Sequence, residues 1–99
     1  MLTLPIKKKW FDMILSGEKK EEYRERTEYW EKRFSNLFDG LYGEKRYVLF
    51  RNGYGNDKPT IKCFVEMAKG TGKEEWGAEP NKMYYVLKIL SVEKISLEG

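Results

Sequence analysis

Residues 82–90, KMYYVLKIL, put large apolar side chains on both faces of an extended chain, a pattern that suits only a strand covered on both sides. This segment is expected to be a central strand of a sheet. Residues 60–70, TIKCFVEMAKG, alternate instead. Ile61, Cys63, Val65 and Met67 fall on one face and Lys62, Phe64, Glu66 and Ala68 on the other, the pattern of a strand with one buried side. Cys63 lands with the apolar set. RYVLF (46–50) reads as a further buried strand and LTLPI (2–6) as a short first strand with Pro5 at its edge or end. SVEKISL (91–97) reads as a short last strand.

Two segments follow the helical period. Trp10, Phe11, Ile14 and Leu15 share one face of a helix over residues 7–16, and Gly17 sits where a left-handed C-cap is wanted. Thr27 is placed to cap a second helix carrying Trp30, Phe34, Leu37 and Phe38, which Asp39-Gly40 and Gly43 end. Tyr29 and Arg33, four residues apart, share a different stripe of that helix and are placed to face a groove.

Between the helices lies GEKKEEYRER (17–26), with eight charges in ten residues. As a helix it would stack Glu18 on Glu22, Lys20 on Arg24 and Glu21 on Glu25, each like-charge pair costing a few tenths of a kcal/mol. As a strand, residues 18, 20, 22 and 24 alternate Glu, Lys, Glu, Arg along one face, so an extended conformation is expected. The resulting order, β-α-β-α-β-β-β with room for one more short strand, defines an α+β domain. Its small, mostly antiparallel sheet can curl into a barrel beside two helices.

The length of 99 residues suits one domain, and 40% hydrophobic and 15% aromatic residues suffice for a core. Nineteen basic and sixteen acidic residues leave a net charge of +3, which permits an anionic partner without demanding one. With no histidine and one cysteine, an ordinary zinc site and Ser-His or Cys-His nucleophilic catalysis are excluded, and any acid-base work falls to Lys, Glu, Asp or Tyr. No Gly-rich phosphate fingerprint occurs: KGTGKEEWG lacks the required spacing. No metal and no cofactor are expected. A lone cysteine and the lack of a long apolar run point to a cytoplasmic protein without signal or membrane span.

Three polar segments lie at strand ends or loops: GEKKEEYR, FRNGYG and EEWGAEP. Together they supply the side chains needed to hydrogen-bond and stack a nucleobase. Each also has a purely structural reading. Lys19, Glu22 and Arg24 suit a solvated strand face, Asn52-Gly53 a hairpin turn, Arg51 an edge charge and Trp76 a core plug.

MILSGEKKEEYRER resembles the signature of the ASCH domain, a short helix followed by G-x-K-x-x-E-x-R on the next strand. Gly17, Lys19, Glu22 and Arg24 stand at the matching positions. FRNGYG and EEWGAEPNKMYYVLKI resemble, in the same order, further segments of small ASCH proteins of bacteria and phages. The resemblance implies a PUA-like fold, a small mixed β-barrel with two flanking helices and a cleft lined by the signature residues. It also implies binding of RNA or a nucleotide-type ligand. Arg24 paired with Glu22 would then hold a phosphate or base carbonyl, Lys19 would supply a point charge, and Tyr54 or Trp76 would stack the base. Tyr29, Arg33, Arg51 and Asn52 complete the candidate ligand set. One bacterial ASCH subfamily deacylates N4-acetylcytidine with a Lys, a Thr and a Glu. Lys19 matches that lysine, whereas Glu22 occupies the position of the threonine. An amidohydrolase would use Lys19 and Glu22, with Glu75 or Glu79 as further candidates for proton transfer. A protein-interaction module, with the charged strand as an edge against its partner, is the remaining alternative.

Overall fold

The computed structural model describes residues 1–95. It contains β1 (Thr3–Ile6), α1 (Lys8–Ser16), β2 (Glu21–Glu25), α2 (Glu28–Leu37), β3 (Lys45–Asn52), β4 (Thr60–Thr71), a 3-10 turn (Glu74–Trp76) and β5 (Met83–Ile95). The five strands form one sheet in the order β1-β3-β4-β5-β2. All neighbours are antiparallel except β1 and β3, which run parallel. The result is an α+β fold with two helices and a curled, mostly antiparallel half-barrel whose edge strands are β1 and β2.

The apolar run in β5 is explained by cores on both of its faces. Tyr85 and Leu87 join the main core, where Phe11 and Ile14 of α1 and Phe34 of α2 meet the inner face of the sheet. Tyr84 and Val86 point the other way and pack with Ala78, Tyr23 and Ala68 in a second, smaller cluster. Phe34 is fully buried, stacked on Trp30 at 5.2 Å and edge-on to Tyr85 at 5.2 Å. Burial of such a ring contributes about 2–3 kcal/mol, so this one residue fixes α2 to the sheet. In β4 the inward set Ile61, Cys63, Val65 and Met67 is buried as the alternation requires.

Local chemistry sets the helix ends. Gly17 adopts a left-handed conformation (φ 87°) and returns its N–H to the Ile14 carbonyl, closing α1. The Thr27 hydroxyl accepts the Trp30 N–H and opens α2.

Four expectations are corrected. SVEKISL is not a separate strand. Its described residues continue β5 through a bulge that pairs Phe64 with Ser91 and Val65 with Ile89, leaving Leu90 unpaired, whereas Ser96 and Leu97 lie outside the described residues. The charged strand begins at Glu21, so Glu18 and Lys20 are exposed in the connection from α1 and do not share a strand face with Glu22 and Arg24. Asn52-Gly53 is not a two-residue hairpin turn: β3 runs through Asn52, which pairs with Ile6 of β1, and the loop spans residues 53–59. Leu15, read with the buried face of α1, is exposed. Among the described residues no helix is long and apolar enough to cross a membrane.

Candidate functional site

The two edge strands face one another across the open side of the half-barrel, and the charged motif lies on that side. In β2, Glu22 pairs with Leu87 and Arg24 with Tyr85, so both project from the face that carries the main core. Lys19 joins them although it differs in parity from both. The tight cap at Gly17 and the bond from the Lys19 N–H to the Met13 carbonyl bend residues 18–20, and the turn swings the Lys19 side chain inward.

Glu22 is the hinge of this cluster. Its Oε1 lies 3.3 Å from Lys19 Nζ and its Oε2 lies 2.9 Å from Arg24 Nη2. The two cations live in different surroundings. Lys19 is 1% exposed; its ammonium donates to the Trp76 carbonyl and lies 4.9 Å from the centre of each of the Trp10 and Tyr23 rings. Burial pulls its pKa below the ordinary lysine value, against the opposing pull of the Glu22 carboxylate. Every face of the ammonium therefore has a protein partner.

Arg24 is 16% exposed at the side chain. Its Nη2 also donates to the Pro5 carbonyl of β1 at 3.2 Å, so a side chain bridges the two sheet edges that no backbone ladder joins. The guanidinium carbon sits 5.1 Å from the centre of the Trp30 ring. Arg24 Nε is buried and has no hydrogen-bond partner among the described residues, an uncommon state for a guanidinium nitrogen.

Beside this bridge is a cavity of about 380 Å³. Glu22 and Arg24 form one wall, Pro5, Ile6 and Lys7 at the end of β1 form another, and Trp10 of α1 with Gly53 and Tyr54 of the β3–β4 loop complete it. The loop is anchored by the Gly53 N–H on the Ile6 carbonyl at 2.9 Å, while the Tyr54 ring is left 84% exposed at the rim. Two aromatic rings, two cationic side chains and a carboxylate thus share one recess whose volume lies at the small end of ligand pockets.

The remaining sequence candidates lie elsewhere. Trp76 is half-buried beside Lys73 and reaches Lys19 through its carbonyl, and neither Trp76 nor Lys19 lines the cavity. The following Gly77 (φ 101°) rests against the Trp10 ring, where a Cβ would stand 3.0 Å from Cζ2. Arg51 Nε donates to Thr60 Oγ1 at 3.3 Å, and the Asn52 backbone N–H is taken by the Pro59 carbonyl. Tyr29 and Arg33 pair on the surface of α2, with the guanidinium 4.5 Å from the ring centre. Glu75 is exposed, and Glu79 forms a surface ion pair with Lys82. Sequence reasoning missed Pro5, Ile6, Lys7, Trp10 and Gly53 as cavity residues. The available signal was the lysine run leading into Trp10 at a helix start; nothing local marks Pro5 or Ile6, because the parallel pairing of β1 with β3 brings them there.

Among the described residues no group of three or more His, Cys, Asp or Glu side chains is placed to hold a metal ion. Comparison with protein-family models, with curated proteins and with solved structures gave no match to this chain.

Proposed function

We propose that the cavity binds a nucleotide-type ligand, either a free nucleotide or nucleoside or one residue of an RNA. The observation that carries this reading is the Glu22–Arg24 pair set in a recess between two aromatic rings. The guanidinium donates to a base carbonyl or a phosphate, the adjacent carboxylate accepts from a base N–H, and Trp10 or Tyr54 stacks the base. Lys7 adds positive charge at the rim. The resemblance of three ordered segments to ASCH proteins supports the same reading. In that frame the curled sheet corresponds to the small mixed barrel of the PUA-like fold, and the protein works in the cytoplasm.

No specific observation favours the amidohydrolase. Lys19, its proposed catalytic amine, is engaged by the Trp76 carbonyl and Glu22 and does not line the cavity. Nor does any favour the interaction module.

Calorimetric titration with nucleosides, modified nucleosides and the four nucleoside monophosphates tests the proposal. At least one is expected to bind saturably, and Arg24→Lys, which keeps the charge but loses the planar fork, is expected to weaken it about tenfold or more. Absence of saturable binding by every compound, or binding indifferent to both Arg24→Lys and Tyr54→Ala, would refute it.

A further inference from the structure

The aromatic neighbour of Arg24 leads away from the cavity. The Arg24 guanidinium lies 5.1 Å from the Trp30 ring, Trp30 meets Tyr29 edge-on at 4.9 Å, and the Arg33 guanidinium lies 4.5 Å from the Tyr29 ring. Arg24, Trp30, Tyr29 and Arg33 therefore form one unbroken line of cation–aromatic and aromatic–aromatic contacts, from the wall of the cavity to the surface of α2. The inner end is fixed, because Trp30 stacks on the buried Phe34. The outer end is open: Tyr29 is 56% exposed and Arg33 is exposed, although the core of so small a domain has use for an aromatic ring.

By helical geometry, Lys32 and Asn36 lie along one flank of the Tyr29–Arg33 stripe, with Glu28 one turn before Lys32 on that same flank, while Trp30, Phe34 and Leu37 form the other flank and Glu31 falls on the far side of the helix. Glu31 lies within electrostatic reach of Tyr85, on the opposite side of the helix from this stripe. The exposed Tyr29 and Arg33 thus form the outer end of a strip that begins at the cavity wall, with Lys32 and Glu28 along its edge.

We infer that this strip is a second subsite, and that the occupant of the cavity is one residue of a single-stranded oligonucleotide whose neighbouring residue lies along α2. The adjacent base stacks on Tyr29, and Arg33 holds the phosphate that joins the two residues. The chemistry is sequence-tolerant at this position, since every base has a face to stack and every linkage a phosphate to pair. A cavity of 380 Å³ holds a single nucleotide unit, so any further residue of a strand must lie outside it. Arg24, shared by cavity and strip, sets the register between them. This inference rests on the cavity reading above and extends it from a nucleotide unit to a strand.

The test compares each nucleoside monophosphate with the corresponding single-stranded RNA tetranucleotide by calorimetry, on the full chain and on Tyr29→Ala, Arg33→Ala and Arg24→Lys. Wild-type protein is expected to bind the tetranucleotide some 5- to 100-fold more tightly than the monophosphate. Tyr29→Ala is expected to erase most of that gain and leave the monophosphate constant unchanged. Arg33→Ala is expected to lower the slope of log K against log salt by about 0.7, one phosphate on a single strand. Both side chains are exposed, so circular dichroism and thermal melting should match wild type. Equal affinities for monomer and tetramer would overturn the strip and leave the cavity reading standing. Tetramer binding lost in Tyr29→Ala yet kept in Arg24→Lys would overturn the shared register and the cavity together, and binding of neither ligand would overturn both proposals.

Discussion

Lys19 and Arg24 contact the same carboxylate from opposite sides, and the contrast between them separates support from recognition. On the Lys19 side the ammonium is enclosed by two rings and a carbonyl, so its charge serves to hold α1, β2 and the turn at Glu74–Trp76 together. On the Arg24 side the guanidinium faces a cavity, retains an unpartnered nitrogen and spans a gap between strands. The two residues belong to one sequence motif and both are cationic side chains. What distinguishes them is the number of donors the protein itself has already used.

The largest effect that would break this contrast concerns stability. Lys19→Met removes a buried partner of Glu22 and the donor to Trp76, and is expected to destabilise the protein by about 3–5 kcal/mol in urea denaturation. Arg24→Met, at a less buried position, is expected to cost about 1–2 kcal/mol. Equal costs, or the reverse order, would mean that both cations are structural or that the roles are exchanged.

Alkaline pH sharpens it next. Burial pushes the Cys63 thiol up to about 12, so between about pH 9 and pH 12 the unfolded chain releases a proton that the folded chain keeps. Stability then falls as pH rises, by up to ~1.4 kcal/mol per pH unit from this group. The Lys19 pKa is displaced downward, so over the interval just below its ordinary value the unfolded chain holds a proton that the folded chain has lost, and this contribution rises with pH. Denaturation series for Cys63→Ala and Lys19→Met should therefore depart from wild type in opposite senses, Cys63→Ala losing less stability and Lys19→Met more. Parallel curves for all three proteins would show that neither burial matters to proton binding.

The smallest expected effect lies at the rim. Tyr54→Ala, at an exposed loop position, is expected to change unfolding free energy by no more than ~0.5 kcal/mol while weakening the proposed nucleotide binding. A larger stability loss would make Tyr54 part of the fold rather than of the site.

Much of this arrangement was legible in the chain, for physical reasons that differ by region. Periodicity identified β4 because alternation is a local property, and it identified α1 and α2 because their caps are local too, Gly17 by lacking a Cβ and Thr27 by its hydroxyl. The gathering of Lys19, Glu22 and Arg24 was expected from motif resemblance alone. Strict strand alternation opposed it, because the bend at residues 18–20 depends on bonds to Met13 and Ile89 that no local pattern reveals. The cavity was half legible. Glu22, Arg24 and Tyr54 stood among the candidates, whereas Pro5, Ile6 and Lys7 owe their place to parallel pairing with a strand more than forty residues away. Trp10, assigned by period to the core, belongs to both: its ring packs on Lys19 and lines the recess.

That double duty gives the glycine behind Trp10 an unexpected reach. Gly77 never meets the recess, yet it is the missing Cβ at Gly77 that lets the indole lie where it does. A methyl group added there would be transmitted through one rigid ring and emerge as a displaced wall, altering what fits without altering any residue that touches it. The WGAEP loop is thus a mould for the site, acting by contour rather than by contact.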